Sequence, residues 1–245
     1  MRVERLRPGS PVPAELAGAV LARDLVVDGE RWSKGRRLSR ADLDALASAS
    51  PGTPPGAVTV LVLEPGDVHE DEAAVRLALA VSGPGLTVRG PAESRVDLLA
   101  AADGVLHVRA AVLERINRLD PVEVFTRFDG SIVSAGDLVG SVKVAPHVVQ
   151  EAVLADVERI ARRGAAVIRI AAFRARRVAI VVKESIRAPA RERFEGSVRA
   201  KVESLGSTVM SIEYVSDEEA TVAAALERAA AAADLVLTAG GGSAP

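Results

Sequence analysis

The segment Asp234-Leu-Val-Leu-Thr-Ala-Gly-Gly-Gly-Ser243 carries the residues best suited to holding a ligand. Consecutive glycines let a backbone come close to a bound group, and successive N–H groups can cradle an anion. Thr238 and Ser243 add hydroxyl donors at either end of the run. A second polar loop, Lys183-Glu-Ser-Ile-Arg-Ala-Pro189, offers in Lys183 a point charge for a phosphate. No Gly-Lys-Ser/Thr follows the glycines and no G-x-G-x-x-G spacing occurs, so this is neither a Walker loop nor a dinucleotide fingerprint. The residues alone leave two readings open: an anion-binding loop and a flexible glycine-rich tail.

The elements around these loops decide where they sit. Arg177-Val-Ala-Ile-Val-Val182 is a continuous apolar run, the pattern of a strand buried on both faces of a parallel sheet. A helix from about Ala190 to Leu205 stops at Gly206, a second strand covers Thr208–Tyr214, and Asp217-Glu-Glu opens a helix running through Ala230. Asp234–Thr238 is then a third strand. This order predicts an α/β domain that is doubly wound, mostly parallel and three-layered (αβα). Ligands of such sheets bind beyond the carboxyl ends of the strands, where both loops fall. Parallel sheets need helices over both faces. A sheet that stops on its third strand is therefore expected to be incomplete, by truncation or fragmentation, or else completed by a partner chain.

Upstream, the composition divides the chain into residues 1–56, 57–172 and 173–245. The first part reads as a strand over Gly18–Leu25 and a helix from Arg40 to Ala47, with Ser39 as N-cap and Asp42 in the first turn. The middle part is β-rich, with a strand at Val58–Leu63. His69–Val81 forms a helix whose acidic first turn opposes the helix dipole. His69, Glu70 and Glu72 could be read as metal ligands, but neighbours on a helix point in different directions, so helix-start chemistry is the expectation. Leu86–Arg89, Gly104–Val108, Val122–Thr126 and Leu138–Val144 fit short strands, and Glu151–Arg163 is an amphipathic helix closed by Gly164. Phe128–Gly140 resembles the hairpin unit of biotinyl and lipoyl barrels without their modified lysine, which points to scaffold. His107 and His147 are expected to be structural. Arg162 and Arg163 meet a helix C-terminus, and Arg174, Arg176 and Arg177 are expected to be solvated surface.

Composition removes whole classes of function. There is no Cys among the 245 residues, so disulfides, thiolate zinc sites, iron–sulfur clusters and cysteine nucleophiles are excluded. Aromatic residues are only 2% of the chain and the formal charge is −2, which argues against nucleic-acid partners. Apolar residues at 49% suffice for a core built from Ala, Val, Leu and Ile. The N-terminal Met1-Arg-Val-Glu-Arg-Leu-Arg-Pro8 has no apolar signal core and no run reaches membrane-spanning length, so a cytoplasmic protein without membrane partners is expected.

The glycine segment resembles the D-L-V-L/I-T-T-G-G-x-S motif of the molybdopterin-binding domain shared by molybdopterin adenylyltransferases, molybdopterin molybdotransferases and competence-damage proteins. The order from Val178–Val182 through Phe194-Glu-Gly-Ser-Val-Arg-Ala-Lys-Val-Glu-Ser-Leu-Gly206 to Asp217–Ala230 is similar as well. Gly18–Leu25, Lys34–Leu43, Gly66–Ala74, Gly90–Leu98 and Ile116–Leu119 look like the upstream part of bacterial molybdopterin-binding proteins. The resemblance implies binding of molybdopterin or its nucleotide, possible Mg2+, a role in cofactor biosynthesis or insertion into molybdoenzymes, and a possible homo-oligomer. It implies ligand contacts from Thr238, Gly240, Gly241, Gly242 and Ser243. Lys183, Glu184 and Ser185 would form the first ligand loop, with Glu195, Gly196 and Ser197 near the start of the following helix. The family's first loop carries a Gly where this one reads Lys-Glu-Ser, and the acidic residue expected after the glycines lies past residue 245. Binding is thus better supported than catalysis. A non-catalytic cofactor-delivery module and a competence-damage-type nucleotide pyrophosphatase are the alternatives, although the β-rich upstream region and Lys34–Leu43 argue against the second.

Overall fold

A computed structural model describes the chain except residues 51, 52, 55, 93, 185, 186 and 241–245. Internal contacts divide it into two units, Met1–Ala171 and Ala172–Pro245. The whole is mixed α/β, with six α-helices and several small sheets among the described residues.

The first unit opens with β1 (Arg2–Leu6), β2 (Val20–Leu21), β3 (Leu25–Val27), β4 (Glu30–Trp32), helix α1 (Arg40–Ser48) and β5 (Val58–Val62). β5 is the middle strand of an antiparallel sheet in the order β1-β5-β2. β3 and β4 form a hairpin whose turn residues Asp28 and Gly29 both have positive φ, 45° and 88°. That is the conformation a tight Asp-Gly hairpin turn requires. Ser39 caps α1 with the reciprocal bonds of a capping box: its hydroxyl accepts from the Asp42 N–H, and the Asp42 carboxylate accepts from the Ser39 N–H at 2.7 Å. Leu43 and Leu46 of this helix pack with Leu21, Leu38, Val60 and Trp32 in one core. Trp32 is buried there, with the Arg36 guanidinium 4.5 Å above its ring.

The rest of this unit comprises β6 (Asp67–His69), α2 (Glu70–Val81), β7 (Leu86–Ala92), β8 (Arg95–Ala100), β9 (Gly104–Val108), α3 (Ala110–Ile116), β10 (Val122–Thr126), β11 (Ile132–Val133), β12 (Leu138–Val144), β13 (Val148–Gln150), α4 (Glu151–Ala161) and β14 (Ile168–Ala172). These strands form sheets in the orders β10-β12-β8-β7, β11-β9-β14 and β13-β6. Helix α2 lies at the centre. Its Ala73, Ala74, Leu77, Ala78 and Val81 are fully buried at the i, i+3, i+4 spacing of a single helical face. They pack into the same core as Val96, Leu98 and Val142 of the sheet and Leu154 and Val157 of α4. Arg76, on the flank of α2, makes a bidentate contact with Glu151 (2.6 and 2.8 Å) and reaches Glu158 at 2.9 Å, tying α2 to α4.

One crowded point joins the early segment to α2. The buried His69 caps this helix: its Nδ1 accepts from the Asp71 N–H, so the proton sits on Nε2, which donates to the Gly35 carbonyl at 2.8 Å. Gly35 has φ +80°, and a Cβ there would run into the Glu70 carboxylate. Glu70 in turn donates its N–H to the His147 carbonyl and accepts from His147 Nδ1 at 2.9 Å. The strand expected over Gly18–Leu25 is broken into β2 and β3. The Asp24 carboxylate accepts from the Lys34 N–H and from Arg31, both at 2.8 Å, and these local bonds replace a sheet ladder.

The second unit consists of β15 (Arg177–Val182), α5 (Ala188–Glu203), β16 (Thr208–Tyr214), α6 (Glu219–Ala232) and β17 (Leu235–Ala239). Its parallel sheet has the order β16-β15-β17, so the apolar run of β15 is central. Val178, Ile180 and Val182 face α5 residues Phe194, Val198 and Val202, while Ala179 and Val181 face Ala225 and Ala229 of α6. Gly206, at φ +73°, turns the chain out of α5 into β16. Leu235 and Leu237 of β17 and Met210 of β16 remain exposed. Among the described residues no helix is long and apolar enough to cross a membrane.

The capping box supplies a test of stability. Burial raises the Asp42 pKa, but bonds from Ser39 and the Arg36 guanidinium (2.7 Å) outweigh it, and the carboxyl stays below its ordinary 3.8. A depressed folded pKa stabilises fully above the unfolded value and loses that effect as pH falls through the folded one. Asp42→Asn should therefore cost about 2 kcal/mol at neutral pH. In denaturant titrations followed by Trp32 emission, the difference should shrink as pH drops below 3.8.

Candidate functional site

The parallel register of the second unit brings the ends of three strands together. Val182 ends β15 opposite Ala239 of β17 and Tyr214 of β16. The Lys183 N–H donates to the Ala239 carbonyl at 2.9 Å, and the Val215 N–H donates to the Val182 carbonyl at 2.9 Å. The loops after β15 and β17 are thus joined backbone to backbone at the carboxyl edge of the sheet.

Gly240 follows with φ +100°, and a Cβ on it would lie 2.9 Å from Glu184 Cβ. Only a glycine backbone passes this close to the neighbouring loop. Thr238 and Glu184 are exposed, whereas Lys183 is half-buried and reaches Asp217 with its ammonium at 3.3 Å. Asp217 stands in the loop after β16, so residues following each of the three strands contribute to this edge. Tyr214, at the end of β16, packs under Arg191, whose guanidinium sits 3.6 Å from the ring centre. Its hydroxyl is buried with no hydrogen-bond partner among the described residues.

Of the residues anticipated from sequence, Thr238, Gly240, Lys183 and Glu184 come together here. Ser185, Gly241, Gly242 and Ser243 lie outside the described residues. α5 begins at Ala188, two residues before the expected start, and Glu195 and Ser197 lie in its middle. Glu195 pairs with Arg191 one turn back at 3.4 Å, Ser197 is exposed, and no bond joins either to the loops among the described residues.

Asp217 and Tyr214 were missed as site residues. The rule that located the other two loops, strand ends at one edge of a parallel sheet, applies equally to the end of β16 and would have found both. The basic residues before β15 belong to the opposite edge: Arg177 pairs with Asp234 at 3.1 Å, and that cation holds the Asp234 carboxyl below its ordinary pKa.

In the first unit both ring nitrogens of His69 are engaged, leaving no lone pair for a metal. Among the described residues no group of three or more His, Asp or Glu could hold a metal ion. His147 has in Glu70 a partner 77 residues away that no local pattern revealed, whereas His107 lies 3.9 Å from Asp129 at the surface. Compared with known protein families, with curated proteins and with solved structures, the chain gives no match.

The join between the loops can be tested directly. Gly240→Ala places a Cβ against Glu184 and should part the strand ends locally. The Lys183 amide, protected by its bond to Ala239, should then exchange with solvent about tenfold faster or more while the global unfolding midpoint stays nearly constant. Native-state hydrogen exchange reads both.

Proposed function

We propose that the Ala172–Pro245 unit binds molybdopterin or its nucleotide form, and that its elements belong to a doubly wound, three-layer αβα domain of the molybdopterin-binding kind. The observation that carries this reading is the 2.9 Å bond from Lys183 to Ala239, which holds Lys183 and Glu184 beside Gly240 at the carboxyl edge of a parallel sheet, the edge where ligands of such sheets bind. The residues present suit the ligand's two ends. Lys183, the Gly240 backbone and the Thr238 hydroxyl fit a phosphate. The unpartnered Tyr214 hydroxyl, buried at the same edge, fits the polar rim of a pterin.

Magnesium, where it takes part, would be held by Glu184 and Asp217, the carboxylates nearest Lys183 in these loops, and would neutralise phosphate charge in a phosphoryl or nucleotidyl transfer. Lys183 orients the phosphate as a point charge, and Gly240 keeps the backbone close enough to donate. Such a unit serves cofactor biosynthesis or insertion into a molybdoenzyme, handing on what it holds.

Fluorescence titration with molybdopterin under anaerobic conditions tests the reading. Saturable binding is expected, weakened about tenfold by Lys183→Met through loss of one charged contact. Gly240→Asp should abolish it with an unchanged circular dichroism spectrum. Absence of saturable binding by the folded chain, or equal binding by both variants, would overturn the proposal.

A further inference from the structure

The Met1–Ala171 unit holds a cavity of about 340 Å3 whose walls include Asp24, Lys34, Glu70, Ser94, Lys143 and His147. This volume lies within the range of small-ligand sites, roughly 300–1,000 Å3. Five stretches of the chain build it: Asp24 between β2 and β3, the end of β4 and the loop after it, the start of α2, Ser94 between β7 and β8, and the segment from β12 to the turn before β13.

The polar groups on these walls are not equivalent. Glu70 is buried and spends its Oε1 on His147 Nδ1 at 2.9 Å. A carboxylate accepting at Nδ1 fixes the ring and its tautomer, so Nε2 is left with its lone pair. Nε2 has no partner among the described residues, on a side chain that is 19% exposed. The ammonium groups of Lys34 and Lys143 form no ion pair among the described residues, although Asp24 and Glu70 are close by. Those two carboxylates are already committed, Asp24 to Arg31 and to the Lys34 N–H, and Glu70 to His147. Ser94, buried in the wall, holds φ +61° without being glycine, a backbone strain of the kind that collects at functional sites.

We propose that this cavity is a binding site for a phosphoryl group, held by Lys34 and Lys143, with its protonated oxygen donating to His147 Nε2 as the directional contact. Two lysines act as point charges and suit a compact tetrahedral dianion. Arg31 carries the planar guanidinium that would select a carboxylate, and it is engaged by Asp24 at 2.8 Å. The Glu70–His147 pair gives the site a rigid wall, because Glu70 is itself wedged against Gly35. All of its residues belong to the Met1–Ala171 unit, and phosphate binding there does not depend on a ligand of the Ala172–Pro245 unit.

The test is titration of the full chain with inorganic phosphate at constant pH and ionic strength, following the His147 ring by nitrogen–proton correlation spectroscopy. A saturable shift of that ring is expected. Its dissociation constant should rise about tenfold or more in Lys34→Met and in Lys143→Met, as expected for loss of one charge-assisted contact. Both lysines are exposed, so unfolding midpoints should not move. Lys183→Met, in the other unit, should leave the shift intact, and acetate should produce none. A His147 ring that does not respond, a shift that survives both lysine changes, or acetate acting as well as phosphate would each overturn the proposal.

Discussion

A side chain at position 35 and the Glu70 carboxylate cannot occupy the same space, and much of the Met1–Ala171 unit follows from that exclusion. Because residue 35 is glycine at φ +80°, the loop after β4 can lie against the first turn of α2 and offer its carbonyl to His69. Glu70 then turns toward His147 and fastens the segment before β13 to the same place. A buried carboxylate needs such partners, since leaving it without them is costly. Three stretches separated by tens of residues are thereby held by one backbone position. The central helix is braced again on its flank by Arg76 with Glu151 and Glu158.

The second unit depends on a different constraint, the demand of a central parallel strand for cover on both sides. β15 satisfies it with two unlike helices. The larger Phe194, Val198 and Val202 of α5 meet its valines and isoleucine, while the alanine face of α6 meets Ala179 and Val181. Once the strands are parallel, their carboxyl ends align and bring Lys183, Asp217 and Gly240 together, and the 3.3 Å Lys183–Asp217 pair forms between strand ends already adjacent. The placement of this candidate site is thus a consequence of topology rather than of a motif.

Much of this was legible in the sequence where one local signal dominates. Arg177–Val182, Thr208–Tyr214, Gly104–Val108, Val122–Thr126 and Leu138–Val144 are strands over the residues expected, because β-branched runs there are bounded by turn formers. Ser39 and Asp42 announced α1 through a cap that needs only three residues of spacing. The three-residue strands β6 and β13 left no such trace, since each exists only because the other is nearby. The break at Asp24 depends on groups at positions 31 and 34, beyond any period of two. The start of α5 fell two residues earlier than expected, with Pro189 in its first turn. The Glu70–His147 contact spans 77 residues and is a product of the tertiary fold alone.

The scarcity of aromatic residues carries a practical corollary. The chain has one Trp and one Tyr, and the fold assigns them to different units: Trp32 to the early core under Arg36, Tyr214 to the end of β16 under Arg191. Among residues that absorb near 280 nm, each unit therefore has one, stacked beneath a guanidinium. Excitation at wavelengths absorbed only by indole observes one half of the molecule in isolation. The phenol band, once the indole contribution is subtracted, observes the other, so the two halves can be followed through the same melt without attaching a label to either.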